Sequence, residues 1–205
     1  EYAFKRNGVP YKVIGGMKFF DRAEVKDMLA YLCVINNPSD DLRLRRIINV
    51  PRRSIGDTTV AAVLELSAQL GESPLQIMAD ADQYDKIRRR AEPLKKFAAM
   101  MQDLIERSEE EPLEILFDGV LDETGYLTML QLQGFEGQTR IENIDELRSS
   151  IIKFSNDMPD GTLSDFLEEV ALYTDLDRTD LQEDSVILMT MHSAKGLEFP
   201  YVFVA

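Results

Sequence analysis

Two rhythms of apolar and polar positions run along this chain of 205 residues. In VPYKVI (9–14) apolar and polar residues alternate over β-prone side chains, which predicts a short strand. Gly15 and Gly16 break it. Asp21 is placed to cap a helix from about Arg22 to Ile35, with Val25, Met28, Leu29, Leu32 and Ile35 at helical spacing. After the NNPSD break, LRLRRIINV (42–50) predicts a short helix ended by Pro51. TTVAAVLELSAQL (58–70) predicts a helix closed by Gly71, and SPLQIMADA (73–81) one with a serine cap and proline in its first turn.

The helical rhythm then persists. A long helix is expected from Tyr84 to about Glu109, with Pro93 starting or kinking a helix. Residues 112–133 predict two helices meeting near Thr124 and Gly125. Residues 140–158 are amphipathic, and 162–176 carry a threonine cap. A polar connector (177–184) leads to VILMTM (186–191) and YVFVA (201–205), which read as buried strands around the SAKGLEF turn. The expected fold class is mostly α. A helical body over 25–183 is bracketed by strand-bearing pieces at 1–24 and 184–205, the pattern of an insertion into an α/β domain. The stop at YVFVA, without cap or loop, is expected of a piece of a larger protein. No internal repeat or low-complexity tract is evident.

Charge sharpens this picture. The chain carries a formal net charge of −14, which argues against generic coating of nucleic acid. Residues 1–60 nevertheless hold a net +4, and residues 61–205 a net −18. A basic face opposed to an acidic body is one reading of that segregation, and two solvated surfaces the other. No apolar run reaches the roughly 18 residues of a membrane span, and EYAFKRNGVPY lacks a signal-peptide core. The single cysteine, Cys33, excludes an internal disulfide, fits a reducing cytoplasm and reads as a buried, inert thiol.

Candidate chemistry is sparse. One histidine and one cysteine make no Cys/His metal site, and no G-x-x-x-x-G-K-[ST] loop is present to hold phosphates. The acidic run SEEEP (108–112) reads as a solvated helix end. Three stretches stand out. GGMKFFDRAEVKD (15–27) joins a glycine turn, an aromatic pair and a charged helix start, with Phe19 and Phe20 in the core as its plain reading. IINVPRRSIGDTTV (47–60) has the shape of a helix-hairpin-helix element. Its turn can offer backbone N–H groups to a DNA phosphate, or can simply join two helices in a basic setting. VILMTMHSAKGLEF (186–199) runs a strand into a polar turn, where α/β folds bind ligands, and its plain reading is a polar loop.

Together these stretches resemble the UvrD/PcrA/Rep family of superfamily 1 DNA helicases, in the family's order and over essentially the whole chain. GGMKFFDRAEVKDMLAYL is similar to the segment after motif IV. INVPRRSIGDTT is similar to the hairpin of the inserted 2B domain, and RIENIDEL to a stretch of that insertion. VILMTMHSAKGLEFPYVFVA is similar to motif V. The resemblance implies a 2B-type helical insertion between pieces of the RecA-like 2A domain of an ATP-dependent 3′-to-5′ helicase of repair or replication. Walker A, Walker B and the motif VI arginine would lie outside this chain, which alone would be inactive. Thr190, His192, Ser193 and Lys195 would belong to the single-strand DNA track, with Lys18 and Arg22 approaching DNA. Glu198 would approach the nucleotide ribose. Ser54, Ile55 and Gly56 would form the hairpin against duplex phosphates, with Arg52, Arg53 and Thr58 beside them. The family usually has Gly-Ile-Gly where this chain has Ser54-Ile55-Gly56, and serine tolerates a positive φ poorly.

The partners implied are single-stranded and duplex DNA, the rest of the helicase (1A, 1B and the remainder of 2A) and repair proteins, without a membrane. ATP and Mg2+ are implied for the parent protein and no cofactor for this chain. The alternative reading is a non-catalytic DNA-binding or protein-interaction module, with the acidic 61–183 body docking a partner.

Overall fold

The computed structural model describes residues 4, 7–14, 19–176, 185–189, 191 and 194–204. The chain divides into two compact units. The first takes residues 1–22 and 170–205, the second residues 23–169. The connector expected at 177–184 lies outside the described residues.

In the first unit, β1 (Tyr11–Ile14) pairs in parallel with β2 (Val186–Met189), Tyr11 opposite Val186 and Ile14 opposite Met189. The Val186 N–H donates to the Pro10 carbonyl at 2.8 Å and extends the ladder. A parallel pair requires a crossover, and here the helical unit supplies it. Phe19–Asp21 forms a single 3₁₀ turn, with Phe19 and Phe20 half-buried and edge-to-face at 5.1 Å rather than in a closed core. The expectation of buried strands at 186–191 and 201–205 is corrected. Val186 and Ile187 are 39% and 38% exposed, and Tyr201–Val204 stand in solvent with no strand pairing. A strand exists only through a neighbour, and among the described residues none runs beside 201–204.

The second unit is helical: α1 (Ala23–Asn36), α2 (Asp41–Ile47), α3 (Asp57–Leu70), α4 (Pro74–Ala79), α5 (Ala91–Ser108), α6 (Leu113–Thr124), α7 (Tyr126–Gln131) and α8 (Phe135–Asp157). A further helix, α9 (Leu163–Leu176), begins in this unit. Local chemistry sets the ends. The Asp40 carboxylate accepts from Arg43 N–H at 2.9 Å and caps α2. Gly71 closes α3 at φ 72°, a left-handed conformation that glycine adopts without a Cβ penalty. Ser73 caps α4 with Pro74 in its first turn. Thr162 and Asp165 cap reciprocally at the start of α9.

The helix expected from Tyr84 starts later. Ile87 and Arg88 N–H groups both donate to the Tyr84 carbonyl, Arg88–Arg90 is a 3₁₀ turn, and α5 opens at Ala91. Pro93 thus falls in the first turn, where its missing N–H costs nothing. The α8 helix begins five residues before the expected stretch, and α7 and α8 approach closely at Gly137. A Cβ there would overlap the Leu130 carbonyl.

The core of this unit centres on α1. Val25, Met28 and Leu32 are fully buried, together with Phe97 of α5, Phe117 of α6 and Ile144 of α8. Two acidic residues of α1 are buried with them, and both have partners. Asp27 accepts from Arg46 Nε at 2.7 Å and from the Tyr126 hydroxyl at 2.8 Å, and Glu24 accepts from the Asn143 side-chain amide. Cys33 is half-buried rather than fully buried, and burial pushes its thiol pKa up while Arg43 opposes the shift. No helix among the described residues is long and apolar enough to cross a membrane.

Candidate nucleic-acid hairpin

The loop between α2 and α3 is ordered from beneath. Four carbonyls of residues 47–51 and that of Ile55 accept hydrogen bonds from side chains. Tyr31, on α1, donates its hydroxyl to the Val50 carbonyl at 2.7 Å. Arg53 Nη1 donates to the carbonyls of Ile47, Ile48 and Pro51 at 3.1, 3.3 and 3.1 Å, and its Nη2 to the Tyr31 oxygen at 2.8 Å. The same guanidinium lies 5.9 Å from the Tyr31 ring centre and 5.1 Å from that of Phe97. Asn49 closes the loop. Its Oδ1 accepts from Ile55 N–H at 3.1 Å and Arg53 N–H at 3.4 Å, and its Nδ2 donates to the Ile55 carbonyl. The Val50–Pro51 peptide is cis.

Electrostatics follow from this packing. Burial drives the Tyr31 phenol up to about 12, with the adjacent Arg53 opposing the rise. Tyr31 therefore stays a neutral hydroxyl that accepts from Arg53 and donates to Val50.

The upper side of the loop is open. Ile55 is buried, and its side chain anchors the turn from below. Ser54 sits at φ 60°, the positive value a glycine would take without strain. Gly56 precedes α3 with no side-chain cap. Among the described residues the N–H groups of Ser54, Gly56, Asp57 and Thr58 have no acceptor. Three of them line the N-terminus of a 14-residue helix, where the macrodipole favours an anion.

Of the residues singled out from sequence, Arg52, Ser54, Gly56 and Thr58 are exposed on this hairpin. The other two sit differently. Arg53 points inward and spends its donors on loop carbonyls. Ile55 contributes a buried side chain and an N–H already held by Asn49. Gly56 lies at φ −71° and ψ 156°, which any residue adopts, and the space above its Cα is empty. Its value is that clearance rather than a special backbone. Arg45, in the last turn of α2, was not signalled as a candidate; like Arg52, it is exposed with no carboxylate partner among the described residues. Asn49 was also missed, although an Asn before a turn is a recognised backbone-binding signal.

The other candidates belong to the first unit. Lys18, Thr190, His192 and Ser193 lie outside the described residues. Arg22 stacks over Phe19 at 5.2 Å, and Lys195 is exposed in the Ala194–Gly196 turn, where Leu197 N–H donates to the Ala194 carbonyl. Glu198 is exposed in the coil that follows. Among the described residues no cluster of three His, Cys, Asp or Glu side chains is arranged to hold a metal ion.

Comparison with known proteins adds the lineage. The model of the UvrD-like helicase C-terminal domain matches residues 1–205. An ATP-dependent DNA helicase PcrA of Staphylococcus epidermidis is 40% identical over 207 aligned positions, covering 100% of this chain and 28% of that protein. A PcrA of Staphylococcus aureus is 39% identical over the same span, again 28% of its length. The chain thus spans about 28% of the curated relatives it matches.

Proposed function

Because this chain belongs to the UvrD-like helicase C-terminal domain family, we propose that it is part of an ATP-dependent 3′-to-5′ DNA helicase, and that its α2–α3 hairpin grips the duplex ahead of the unwinding point. The observation that carries the reading is the uncapped N-terminus of α3. Gly56, Asp57 and Thr58 are exposed with N–H groups that have no acceptor among the described residues, and Arg52 on the same hairpin is exposed as well. Such donors take a phosphate oxygen without reading bases, which suits a motor that must act on any sequence.

In this proposal the helical unit is a 2B-type insertion, and the strand-bearing unit is part of a RecA-like 2A domain. Thr190, His192, Ser193 and Lys195 border the single strand, with Lys18 and Arg22 nearby. ATP and Mg2+ serve the whole helicase, supplying the energy of hydrolysis. Of the residues here only Glu198 stands on the nucleotide side. Phosphate chemistry is assigned elsewhere in the protein, since this sequence contains no G-x-x-x-x-G-K-[ST] loop. The remaining domains, DNA of both forms and repair proteins are the proposed partners, in the cytoplasm.

The test is an anisotropy titration of the chain with a labelled hairpin duplex at several salt concentrations. Sequence-independent binding near 10⁻⁴–10⁻⁶ M that weakens steeply with salt is the expected result. Arg52→Ala should lower affinity and flatten the salt slope by about one unit. Binding indifferent to salt and to Arg52→Ala would refute the duplex assignment.

A further inference from the structure

A cationic side chain in a DNA-facing turn is ordinarily counted as a phosphate contact. Arg53 is built for something else. Its Nη1 serves three carbonyls, two of which, Ile47 and Ile48, are at the C-terminal end of α2. Neither carbonyl has a partner within the helix itself, although that of Ile47 also accepts from the Val50 N–H at 2.9 Å, and the negative end of the macrodipole lies there. The guanidinium therefore finds its counter-charge in backbone dipoles, and its flat face lies against Tyr31 and Phe97. Asn49 does the complementary work on the other limb, holding Ile55 by both its N–H and its C=O. The free donors at the start of α3 follow one residue later.

We infer that Arg53 and Asn49 are positioning residues for duplex binding: they hold the α2–α3 loop from beneath so that the Gly56–Thr58 N–H groups converge on one phosphate, and neither touches DNA. The inference rests on the duplex-binding reading of the hairpin. It separates two adjacent arginines by role. Arg52 supplies charge to the phosphate, and Arg53 supplies shape. Lysine cannot replace Arg53, because a single ammonium lacks the planar fork that spans three carbonyls and a phenol oxygen.

The experiment compares Arg52→Ala, Arg53→Ala, Arg53→Lys and Asn49→Ala by the same anisotropy titration over a salt series. A thermal melt of each variant and amide hydrogen exchange at Ile55 accompany it. Arg53→Ala and Asn49→Ala should each weaken binding at least about five-fold while keeping the parental salt slope, whereas Arg52→Ala flattens the slope by about one unit. Arg53→Lys should fail to restore affinity. Ile55 N–H should exchange faster in Asn49→Ala. A flattened slope in Arg53→Ala with rescue by lysine would make Arg53 a phosphate contact and overturn the inference. A lowered melting temperature with unchanged affinity would reduce both residues to general stability and overturn it equally. If Arg53→Ala does not fold, Asn49→Ala decides by the same criteria. A parental chain that binds no duplex at any salt overturns the hairpin reading itself, and this role with it.

Discussion

The Tyr126 hydroxyl donates to Asp27 Oδ2 at 2.8 Å, joining α7 to α1 across 99 residues of sequence. Asp27 Oδ1 is held at the same time by Arg46 Nε of α2 at 2.7 Å. One buried carboxylate thus ties three helices. Tyr126→Phe should destabilise the fold by roughly 1.5–3 kcal/mol, the range for a hydrogen bond to a charged group. Asp27→Ala should cost more, since it leaves the buried Tyr126 hydroxyl without its acceptor and leaves Arg46 only its bond to the Ala23 carbonyl. Urea melts followed by circular dichroism check both, and a Tyr126→Phe midpoint equal to the parent's would contradict the argument.

Tyr31 gives the protein an alkaline limit. Burial raises its phenol to about 12, above the ordinary value of 10 that it regains on unfolding. Between these values the unfolded chain binds fewer protons than the folded one, so stability falls as pH rises. The contribution is intact below pH 10 and is lost as pH climbs through about 12. Burial and the neighbouring Asp27 also push Tyr126 upward, adding to the same trend. Stability measured from pH 9 to 12 should decline less steeply in Tyr31→Phe than in the parent, although the variant starts lower for want of the Val50 hydrogen bond.

Gly56→Ser should separate stability from binding. The new hydroxyl has room and suits the N-cap backbone already present. It would accept from the Thr58 or Thr59 N–H and stabilise α3 by a few tenths of a kcal/mol, the usual gain of serine over glycine at a cap. The same hydroxyl would occupy the donors offered to phosphate. A higher melting temperature with duplex affinity reduced several-fold is the expected pair of results. Gain or retention of affinity would show that those donors are not used.

Ser54→Gly addresses the strained position. A non-glycine residue at φ 60° costs about 1 kcal/mol, and the flexibility of glycine in the unfolded chain returns part of that. A melting temperature equal to or modestly above the parent's is expected, with duplex affinity at least maintained. A clear loss of stability would mean that the Ser54 side chain makes a compensating contact.

Much of this was legible in advance where a residue carries its own local rule. Gly71, Ser73 with Pro74, and Gly125 between α6 and α7 all end or start helices where their chemistry says they should. The hairpin between residues 47 and 57 was legible as a shape for the same reason. Its inner wiring was not. Sequence reports that Arg53 is charged but not that three carbonyls and two aromatic rings face it. Nothing around Tyr31, 22 positions earlier, announces its hydroxyl as a partner of that arginine. The misplaced start of α5 has a different cause. Tyr84–Arg90 has helical composition, but successive tight turns place Ile87 in the core without a continuous helix. Tyr201–Val204 failed because β-propensity describes a surface that needs a neighbour to pair with.

The parallel pairing of β1 with β2 also sets an order of events during folding. Its ladder joins residues near opposite ends of the chain, whereas most contacts among α1–α8 lie between helices close in sequence. Closing so long a loop costs entropy that four residue pairs repay poorly on their own. The strands are therefore expected to be the last part to acquire protection, which pulsed hydrogen exchange during refolding of this chain would check. On this argument the ladder forms once the intervening helices have shortened the effective loop, and its amides should be the first in this chain to exchange when denaturant is added.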